Sequence, residues 1–426
     1  MKTYINPAKE SWNEILQRPT QTKANLEKVV AEVFSKIQDE GDKALLEFTA
    51  KFDGCNLSSI KVSKAEIEEA VALVPENLKS SIEKAARNIR KFHENQLVVE
   101  APVKISNGID CWRKTTAIEK VGLYIPGGSA PLFSTVLMLS IPAKIAGCKQ
   151  MVMCSPPNKE GKIHPAILFA ADLCGITEIY KLGGTQAIGA MTYGTETVKQ
   201  VYKIFGPGNQ YVTAAKQYAS MEGVAIDMPA GPSEVLVFAD DSGNASFIAA
   251  DLLSQAEHGA DSQVVFVTTQ ENMIAEVKAE VEKQLNDLPR KEIAAKALDN
   301  SVLICVEDVY QALALINEYA PEHLILQSRE EAFFIDRIVN AGSVFLGNYT
   351  PESAGDYASG TNHTLPTNGY ARAYSGVSVD SFVKKITFQR ITQDGLKELG
   401  NVIEIMAEAE ELIAHKNAVS IRLKRE

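Results

Sequence analysis

The feature of this sequence that most constrains its fold is an alternation of short apolar runs with segments long enough to be helices. Apolar runs of strand length occur first at Val121–Ile125, Met151–Cys154, Ile179–Leu182 and Val224–Ile226. A second set follows at Val235–Ala239, Val264–Val267, Val302–Val306, Leu324–Gln327 and Ser343–Leu346. Strands that alternate with helices form parallel sheets joined by crossover helices. The sequence therefore predicts an α/β fold built from two doubly wound units.

The region before these runs has a different pattern. From Lys23 to about Gln96 apolar residues recur at helical spacing, and Ser63 with Glu66 matches a capping box. A short passage around Cys111–Ile118 has the character of a strand. We therefore expect an N-terminal set of helices that carries no chemical motif.

The region after the last run is polar and then helical. Residues 347–381 are rich in Gly, Ser, Thr, Asn and Tyr, which is typical of a long functional or disordered loop. The spacing of apolar residues predicts a closing helix over residues 396–415 and a strand over residues 418–423. This C-terminal part is too small to fold alone, so we expect it to dock on another part of the protein.

Composition excludes several classes of protein. The chain has 43 Lys and Arg against 54 Asp and Glu, a formal net charge of −11, and no basic run of the kind that binds nucleic acid. None of its six cysteines forms a CxxC pair, which is typical of a reduced, cytoplasmic protein without a thiolate zinc site. The N-terminus lacks an apolar signal segment, and the uncharged stretch Val121–Ala143 is interrupted by prolines and glycines. We therefore expect a cytoplasmic protein with neither a nucleic-acid nor a membrane partner.

Three glycine turns of the first unit lie where the carboxyl ends of strands are expected, at Pro126–Ser129, Gly183–Gln186 and Gly206–Asn209. Backbone amides and helix N-termini at the carboxyl ends of parallel strands attract the phosphates of nucleotides. Neither GxGxxG nor the P-loop pattern occurs in the chain. The turns are equally consistent with plain strand-to-helix connections, which every α/β unit needs.

The histidines, only six in number, stand next to other chemically useful residues. Gln255 and His258 are three residues apart on a predicted helix that begins near Asn244, so both side chains can meet one metal ion. A solvated polar helix face gives the same pattern. Glu322 and His323 adjoin just before a predicted strand, where an acid and an imidazole suit paired proton transfers. A strand-entry turn is the alternative interpretation.

Two further pairs complete the set. Asp356 and His363 lie seven residues apart in the predicted polar loop, where they either line a site or lie on the surface. Glu410 and His415 lie near the end of the closing helix, where a histidine also favours the helix dipole. Nitrogen and oxygen donors without thiolate fit a zinc ion that has positions open to substrate. Together these residues predict a metal-dependent enzyme without specifying its reaction.

In these segments the sequence resembles the histidinol dehydrogenase family. The resemblance runs from the N-terminal helices to the C-terminal Ala414–Val419. The strongest segments are Gly122–Pro131, Gly183–Ile188, Phe205–Val212, Asp227–Val235, Ser254–Gly259, Ala320–Leu324, Ala358–Pro366 and Glu408–Val419. Ordered matches over the whole chain are far more specific than one motif, and no position expected to do chemistry departs from the family pattern.

The resemblance implies NAD-dependent oxidation of L-histidinol, through an enzyme-held L-histidinaldehyde, to L-histidine, with two NAD consumed in these final steps of histidine biosynthesis. The implied ligands of one zinc ion per subunit are Gln255, His258, Asp356 and His415. The implied acid–base residues are Glu322 and His323. The implied substrate contacts are these ligands and His323, together with Ser233, His363 and Glu410. The implied NAD contacts are Tyr124, Gln186 and Asn209.

The resemblance also implies an architecture. The family's two incomplete Rossmann-like units explain why the glycine turns suit a nucleotide although GxGxxG is absent. Terminal dimerisation segments would cross to a second subunit, giving a homodimer with shared active sites. The implied parts are residues 1–22 for N-terminal dimerisation, 23–120 with 231–377 for most metal and catalytic residues, 121–230 for NAD, and 378–426 for the C-terminal segment that reaches the partner's site.

Three other functions are open to a chain with these residues. A zinc hydrolase would use Glu322 to activate water without a redox step. A cysteine-dependent aldehyde dehydrogenase would use Cys111 or Cys148 as its nucleophile, although neither has a histidine neighbour in the sequence. A non-catalytic nucleotide-binding protein would have no need for the clustered metal-type residues.

Overall fold

The computed structural model describes residues 1–19, 23–127, 130–229 and 231–423, without the side chains of residues 23–25. The chain divides into a first compact unit, Met1–Gln96 with Ile118–Phe382, and a second, Leu97–Ala117 with Val383–Glu426. In the part of the chain that the structure describes, no helix combines the length and apolar character needed to cross a membrane.

The first unit contains two parallel sheets and the helices that cover them. Its strands are β1 (Lys2–Ile5), β4 (Lys120–Tyr124), β5 (Gln150–Ser155), β6 (Glu178–Lys181), β7 (Lys203–Phe205), β8 (Ala225–Ile226), β9 (Glu234–Ala239), β10 (Gln263–Thr268), β11 (Val302–Cys305), β12 (His323–Gln327) and β13 (Ser343–Leu346), with β2 and β3 in the second unit. Its α-helices are α1 (Trp12–Ile15), α2 (Lys23–Glu40), α3 (Asp42–Phe48), α4 (Lys64–Leu73), α5 (Glu76–Glu94), α6 (Phe133–Ala146), α7 (Pro165–Leu173), α8 (Gly184–Tyr193), α9 (Gln210–Met221), α10 (Ala245–Ala256), α11 (Glu271–Leu285), α12 (Lys291–Asp299), α13 (Val309–Tyr319), α14 (Glu331–Ile335) and α15 (Glu352–Tyr357).

The five-stranded sheet has the order β6-β5-β4-β7-β8, and every neighbouring pair in it is parallel. Apolar side chains of α4 to α7 cover one face, and those of α2, α3, α8 and α9 cover the other. Because chain order reverses between β4 and β7, the crevice beyond the carboxyl ends of these two strands is the natural ligand position of this sheet.

The six-stranded sheet has the order β1-β11-β10-β9-β12-β13, again with all neighbours parallel. Helices α10 to α12 pack on one face, and α1, α13 and α14 pack on the other. Strand β1 is an additional edge strand. The other five strands, β11-β10-β9-β12-β13, have the same relative order as β6-β5-β4-β7-β8 of the first sheet, and here chain order reverses between β9 and β12.

Sheet type and most strands agree with the sequence predictions. The parallel α/β architecture is confirmed, and so is the capping box at Ser63 and Glu66, which begins α4. Strands β1 and β7 were not predicted, because each is only three or four residues long and includes a lysine. The implied domain boundaries stay a prediction; in the structure, α2 to α5 share their apolar cores with the five-stranded sheet.

The second unit is a small antiparallel sheet with a helical hairpin. Strands β2 (Val103–Ser106), β3 (Ile109–Ala117) and β14 (Val383–Ile391) have the order β14-β3-β2, and α16 (Gln393–Ala409) precedes α17 (Ile413–Leu423). Strand β14 was not predicted because almost all its side chains are exposed and no apolar face marks it.

Two C-terminal predictions were wrong. The closing helix predicted over residues 396–415 ends at Ala409, and a turn with Glu411 at φ +60° separates it from α17. Residues 418–423, predicted as a strand, belong to α17. Their alternating apolar residues resemble a strand, but Val419 and Leu423, four apart, both lie against Gly400 of α16.

Candidate functional site

The candidate catalytic pair lies at the amino-terminal edge of the six-stranded sheet. His323 is the first residue of β12 and pairs with Val235 of β9, directly after Glu234. Both Glu322 and His323 are buried. In open α/β sheets ligands usually lie beyond the carboxyl ends of strands. This pair lies at the opposite, amino-terminal edge, so the usual position of ligands does not account for it.

Carboxylates surround the His323 imidazole. Its Nδ1 lies 3.7 Å from Glu322 Oε2 and 3.8 Å from Glu352 Oε1, and its Nε2 lies 3.5 Å from Asp356 Oδ1. Burial lowers the pKa of His323, but the nearby negative charges outweigh burial and raise that pKa to about 10. The surrounding carboxylates therefore stabilise the protonated, imidazolium form of His323.

Glu322 is held by the main chain of the neighbouring strand. The backbone N–H of Glu234 donates to Glu322 Oε2 at 3.0 Å, and the Glu234 carbonyl oxygen lies 3.4 Å from His323 Nδ1. Burial raises the pKa of Glu322 to about 8, in spite of the opposing charge of His323. A carboxyl group with such a pKa exchanges protons near neutral pH, as acid–base catalysis requires.

The side chain of Glu234 is fixed by an arginine from the N-terminal segment. Arg18 Nε and Nη2 donate to the two Glu234 carboxylate oxygens at 2.5 and 2.8 Å, and Nη2 also donates to the Tyr319 carbonyl at 2.6 Å. The guanidinium lies 4.1 Å from the centre of the Tyr319 ring. Two-point pairing of this kind gives a buried carboxylate one geometry, so Arg18 supports the strand end that holds Glu322.

Oxygen and nitrogen donors gather beside this pair. One ligand atom from each of His258, Glu352 and Asp356 lies within 4.8 Å of the other two. Gln255 is fully buried, and within the described residues neither atom of its side-chain amide has a hydrogen-bond partner. Both carboxylate oxygens of Glu352 are likewise buried, and among the described residues neither has a hydrogen-bond partner. Buried polar atoms without hydrogen-bond partners lower the stability of the folded protein. A divalent cation would bind such oxygen and nitrogen atoms, so these residues fit a metal ion.

The helix expected to carry Gln255 and His258 is shorter than predicted. It begins after Asn244, whose side chain caps it, but α10 ends at Ala256, so His258 lies in the following turn. The His258 backbone N–H donates to the Gln255 carbonyl at 3.2 Å. The turn, rather than a shared helix face, therefore sets the position of His258.

Part of the predicted polar loop is a helix. Glu352 and Asp356 both lie on α15, four residues apart and therefore on one helix face. The sequence prediction included Asp356 but missed Glu352. The only signal for Glu352 was its spacing of four residues from Asp356, inside a stretch that was predicted to be a loop.

His363 connects the donor group with the five-stranded sheet. Its Nδ1 lies 2.9 Å from the Asp356 carbonyl oxygen, and its Nε2 lies 3.0 Å from Thr135 Oγ1, near the start of α6. Burial lowers the pKa of His363, although Asp356 opposes this effect. Helix α6 follows the turn at the end of β4, so the donor group and the glycine turns belong to one region of the first unit.

The glycine turns meet at Tyr124. The Gly184 N–H donates to the Tyr124 hydroxyl at 3.1 Å, and a side chain on Gly206 would come within 2.2 Å of the Tyr124 carbonyl oxygen. The turns at Gly183 and Gly206 follow β6 and β7 and so lie at the carboxyl ends of strands, as expected, although β7 itself was not predicted. In the turn at Pro126–Ser129, Gly128 and Ser129 lie outside the described residues.

Asn209 and a buried ion pair shape the third turn. Asn209 is exposed, and its Oδ1 accepts the N–H groups of Tyr211 and Val212, so it caps α9. Lys216 and Asp227 form a buried ion pair; Lys216 Nζ donates to the Gly206 carbonyl at 2.9 Å, and Asp227 accepts the Gly206 N–H at 2.9 Å. The ion pair thus binds both the N–H and the carbonyl group of Gly206 and fixes the turn.

The other predicted site residues are more dispersed. Ser233 is half-buried directly before β9, and its carbonyl accepts the Gln263 N–H at 3.2 Å. Glu410 follows the last residue of α16, and His415 lies in the first turn of α17, so both are exposed residues of the second unit. They belong to a different unit of the chain from His258, Glu352 and Asp356.

Comparison with known proteins identifies the family. A model described as histidinol dehydrogenase matches residues 16–423 of the chain. A histidinol dehydrogenase of Bacteroides thetaiotaomicron is 60% identical over 423 residues, which cover 99% of each protein. The chain belongs to the histidinol dehydrogenase family. This confirms the family and enzyme class expected from the sequence, an NAD-dependent oxidoreductase of histidine biosynthesis.

More distant relatives and a solved structure of the histidinol dehydrogenase family agree. The Vibrio cholerae relative is 53% identical over 414 residues, covering 96% of this chain and 95% of the relative. A crystal structure of histidinol dehydrogenase from Elizabethkingia anophelis matches with a TM-score of 0.97 at 59% identity, over 99% of this chain and 98% of that one. The fold described above is therefore a histidinol dehydrogenase fold over essentially its whole length.

The cysteine alternative has no support in this geometry. Burial raises the pKa of Cys148 to about 12, and its thiol lies 3.8 Å from the Phe382 carbonyl oxygen. Cys111 lies on β3 of the second unit. A nucleophilic thiolate needs a lowered pKa, which burial of Cys148 opposes.

Proposed function

We propose that the protein oxidises L-histidinol to L-histidine through an enzyme-held L-histidinaldehyde, with two NAD reduced per turnover. The observation that carries this proposal is the buried Glu322–His323 pair beside the nitrogen and oxygen donors of His258 and Asp356. His363 and Thr135 connect this group with the turns of a nucleotide-type sheet. The acid–base pair thus lies between residues that can bind a metal ion and the sheet edge whose glycine turns can bind a nucleotide. This arrangement suits two successive hydride transfers from one bound substrate.

The proposed metal is zinc, one ion per subunit. Its proposed ligands are Gln255, His258 and Asp356, together with His415 supplied by the second subunit. The unpartnered amide of Gln255 and the proximity of His258 to Asp356 support this set. When bound, the ion would supply an anchor for the imidazole and amine nitrogens of histidinol, which orients the reacting carbon for hydride transfer.

The first oxidation needs a base for the hydroxyl proton. We assign this role to His323 in its neutral form, because the imidazolium that forms when it takes the proton has its Nε2 3.5 Å from Asp356 Oδ1. As the proton moves to the imidazole, the carbinol carbon gives up a hydride to the first NAD and becomes the aldehyde carbon. Asp356, whose pKa is lowered beside His323 in spite of burial, stabilises the resulting imidazolium by charge, and Glu352 lies 3.8 Å from the other ring nitrogen.

The second oxidation needs a water molecule. We assign its activation to Glu322, which accepts the water proton while the water oxygen adds to the aldehyde carbon. The hydrated aldehyde, which then carries one negative charge, would give up a hydride to the second NAD and become the carboxylic acid, which releases its last proton to solvent as the carboxylate forms. The Glu234 N–H keeps Glu322 in place during both proton transfers.

The remaining contacts are proposed from the family. Ser233, His363 and Glu410 would help to hold the substrate, and the ligand residues and His323 would also contact it. Tyr124, Gln186 and Asn209 would contact NAD. The position of Tyr124 between two glycine turns at the carboxyl edge of the five-stranded sheet supports its assignment.

We also propose that the two sheets are incomplete Rossmann-like units and that the protein is a homodimer with shared sites. The repeated strand order supports the first proposal. Large apolar side chains exposed on the second unit support the second, because such patches usually mark interfaces. They include Ile386, Phe388, Ile391, Val402, Ile405, Met406, Ile413 and Ile421.

Removal of the metal tests the proposed zinc site. Dialysis against a strong chelator should abolish NADH formation from both histidinol and histidinaldehyde, because the substrate loses its anchor. Addition of zinc should restore both rates, followed by absorbance of NADH and by metal analysis. Full activity of protein shown to be metal-free would contradict the proposal.

The variant Glu322→Gln separates the two oxidations. Glutamine keeps an acceptor for the Glu234 N–H but cannot take a proton from water, so aldehyde oxidation should slow about 10²-fold or more. Oxidation of histidinol to the aldehyde should be affected far less. Stopped-flow NADH absorbance with each substrate measures the two steps, and the exposed Glu318→Gln is the matched control. Aldehyde oxidation at the wild-type rate would rule out water activation by Glu322.

Subunit mixing tests the shared sites. His258→Ala and His415→Ala homodimers should each be inactive, because each lacks a ligand in both sites. In a mixed dimer one site carries both changes and the other carries neither, so random mixing should restore about a quarter of wild-type activity. Mixing is verified with two affinity tags. Tagged heterodimers without activity would show that His415 is not supplied across the interface.

A further inference from the structure

We propose that Asp53 is a positioning residue of the nucleotide site, which fixes the amide of Gln186 so that Gln186 Oε1 is presented to bound NAD. The inference rests on the proposed NAD contact of Gln186 and adds a residue that the sequence did not single out. Asp53 ends the short helical segment Thr49–Asp53, outside both sheets.

The contacts of Asp53 point to the turn after β6. Asp53 Oδ2 accepts a hydrogen bond from Gln186 Nε2 at 3.0 Å, and the backbone of Gly183 opposes the effect of burial on the pKa of Asp53. A side chain on Gly183 would come within 2.8 Å of Asp53 Oδ1, so the carboxylate lies directly against the turn. Asp53 therefore contacts both the start of the turn and the side chain that follows it.

The chemistry of the carboxylate decides how the Gln186 amide is oriented. Burial raises the pKa of Asp53 to about 6, so at neutral pH the group is ionised and accepts hydrogen bonds without donating any. The NH₂ end of the amide must face such a group. Gln186 Oε1 is then directed away from Asp53, whichever rotamer the glutamine would otherwise prefer.

The opposite end of the amide has no partner. Gln186 is 1% exposed, and among the described residues nothing donates to its Oε1. This oxygen lies beside Gly184, 3.4 Å from where a side chain would begin, and the Gly184 N–H is already bonded to the Tyr124 hydroxyl. A buried acceptor left unpaired in a well-packed turn is costly unless a ligand satisfies it.

This arrangement specifies the kind of ligand group. A carbonyl oxygen accepts hydrogen bonds, so it suits the ribose hydroxyls or amino groups of NAD and not its phosphates. The phosphates would be left to the backbone N–H groups of the turns. Because the side-chain hydrogen bond of the Asp53 carboxylate is made with Gln186, Asp53 acts on NAD binding through Gln186.

An exchange of the two side-chain types tests this mechanism. We expect Asp53→Asn to raise the KM for NAD several-fold, because asparagine accepts the amide in either orientation. We expect Gln186→Glu to raise it about tenfold or more, because two carboxylates then face each other. In the double variant the introduced asparagine donates to the introduced glutamate, so the hydrogen bond between the two side chains and the net charge are restored. Its KM for NAD should return to within about threefold of wild type.

The readouts separate positioning from general loss of structure. The KM for NAD, kcat and the KM for histidinol are measured for all variants, and the Kd for NADH is measured by fluorescence. Asp42→Asn is the matched control, since Asp42 is a hydrogen-bonded carboxylate of the same helical region that faces Thr195. This control, and the KM for histidinol throughout, should stay within about twofold of wild type.

The outcomes distinguish this inference from the function on which it rests. A double variant whose KM for NAD is worse than either single variant would overturn the role of Asp53, even if Gln186→Glu confirms the NAD contact. Unchanged NAD binding in both single variants would overturn the role of Asp53 and the proposed Gln186 contact together, while leaving histidinol oxidation itself intact. If Asp53→Asn alone fails to fold, recovery in the double variant still decides the question.

Discussion

The site depends on the register between β9 and β12. That pairing places the N–H of Glu234 against the Glu322 carboxylate and its carbonyl near the His323 imidazole, so one residue's backbone positions both members of the pair. Burial then raises the pKa of Glu322, whereas the nearby carboxylates raise the pKa of His323 against the effect of burial. Because β9 is fully buried and Arg18 fixes the Glu234 carboxylate, neither strand end can shift without leaving buried polar groups unpaired.

The two sheets contribute opposite edges to the region around His363. The five-stranded sheet supplies the carboxyl edge, where its glycine turns meet Tyr124. The six-stranded sheet supplies its amino edge, where β12 begins, although its strand order would favour the other end. At that other end Asp240 already accepts hydrogen bonds from Ser242, Ser328 and Arg329. Two sheets with the same strand order thus serve different purposes. The five-stranded sheet offers its carboxyl edge to a nucleotide, and the six-stranded sheet holds the acid–base pair at its amino edge.

The sequence predicted the fold where apolar runs are long and missed it where they are short. Most buried strands between Val121 and Leu346 were identified by their apolar runs. Strand β7 was missed because it has only three residues, and β14 was missed because it lacks an apolar face. Among site residues, histidines and their neighbours stood out, but Glu352, Arg18 and Asp53 are common charged types in unremarkable segments. Their importance comes from burial and from partners distant in sequence, such as the 216 positions between Arg18 and Glu234, which periodicity cannot reveal.

The central claim is that one site performs two oxidations on one substrate. The most direct measurement supplies the purified, zinc-loaded protein with L-histidinol and excess NAD, then quantifies NADH by absorbance and L-histidine by chromatography. Two NADH should form for each L-histidine, with no accumulation of free aldehyde. One NADH per product molecule, or histidinaldehyde as the final product, would contradict the account.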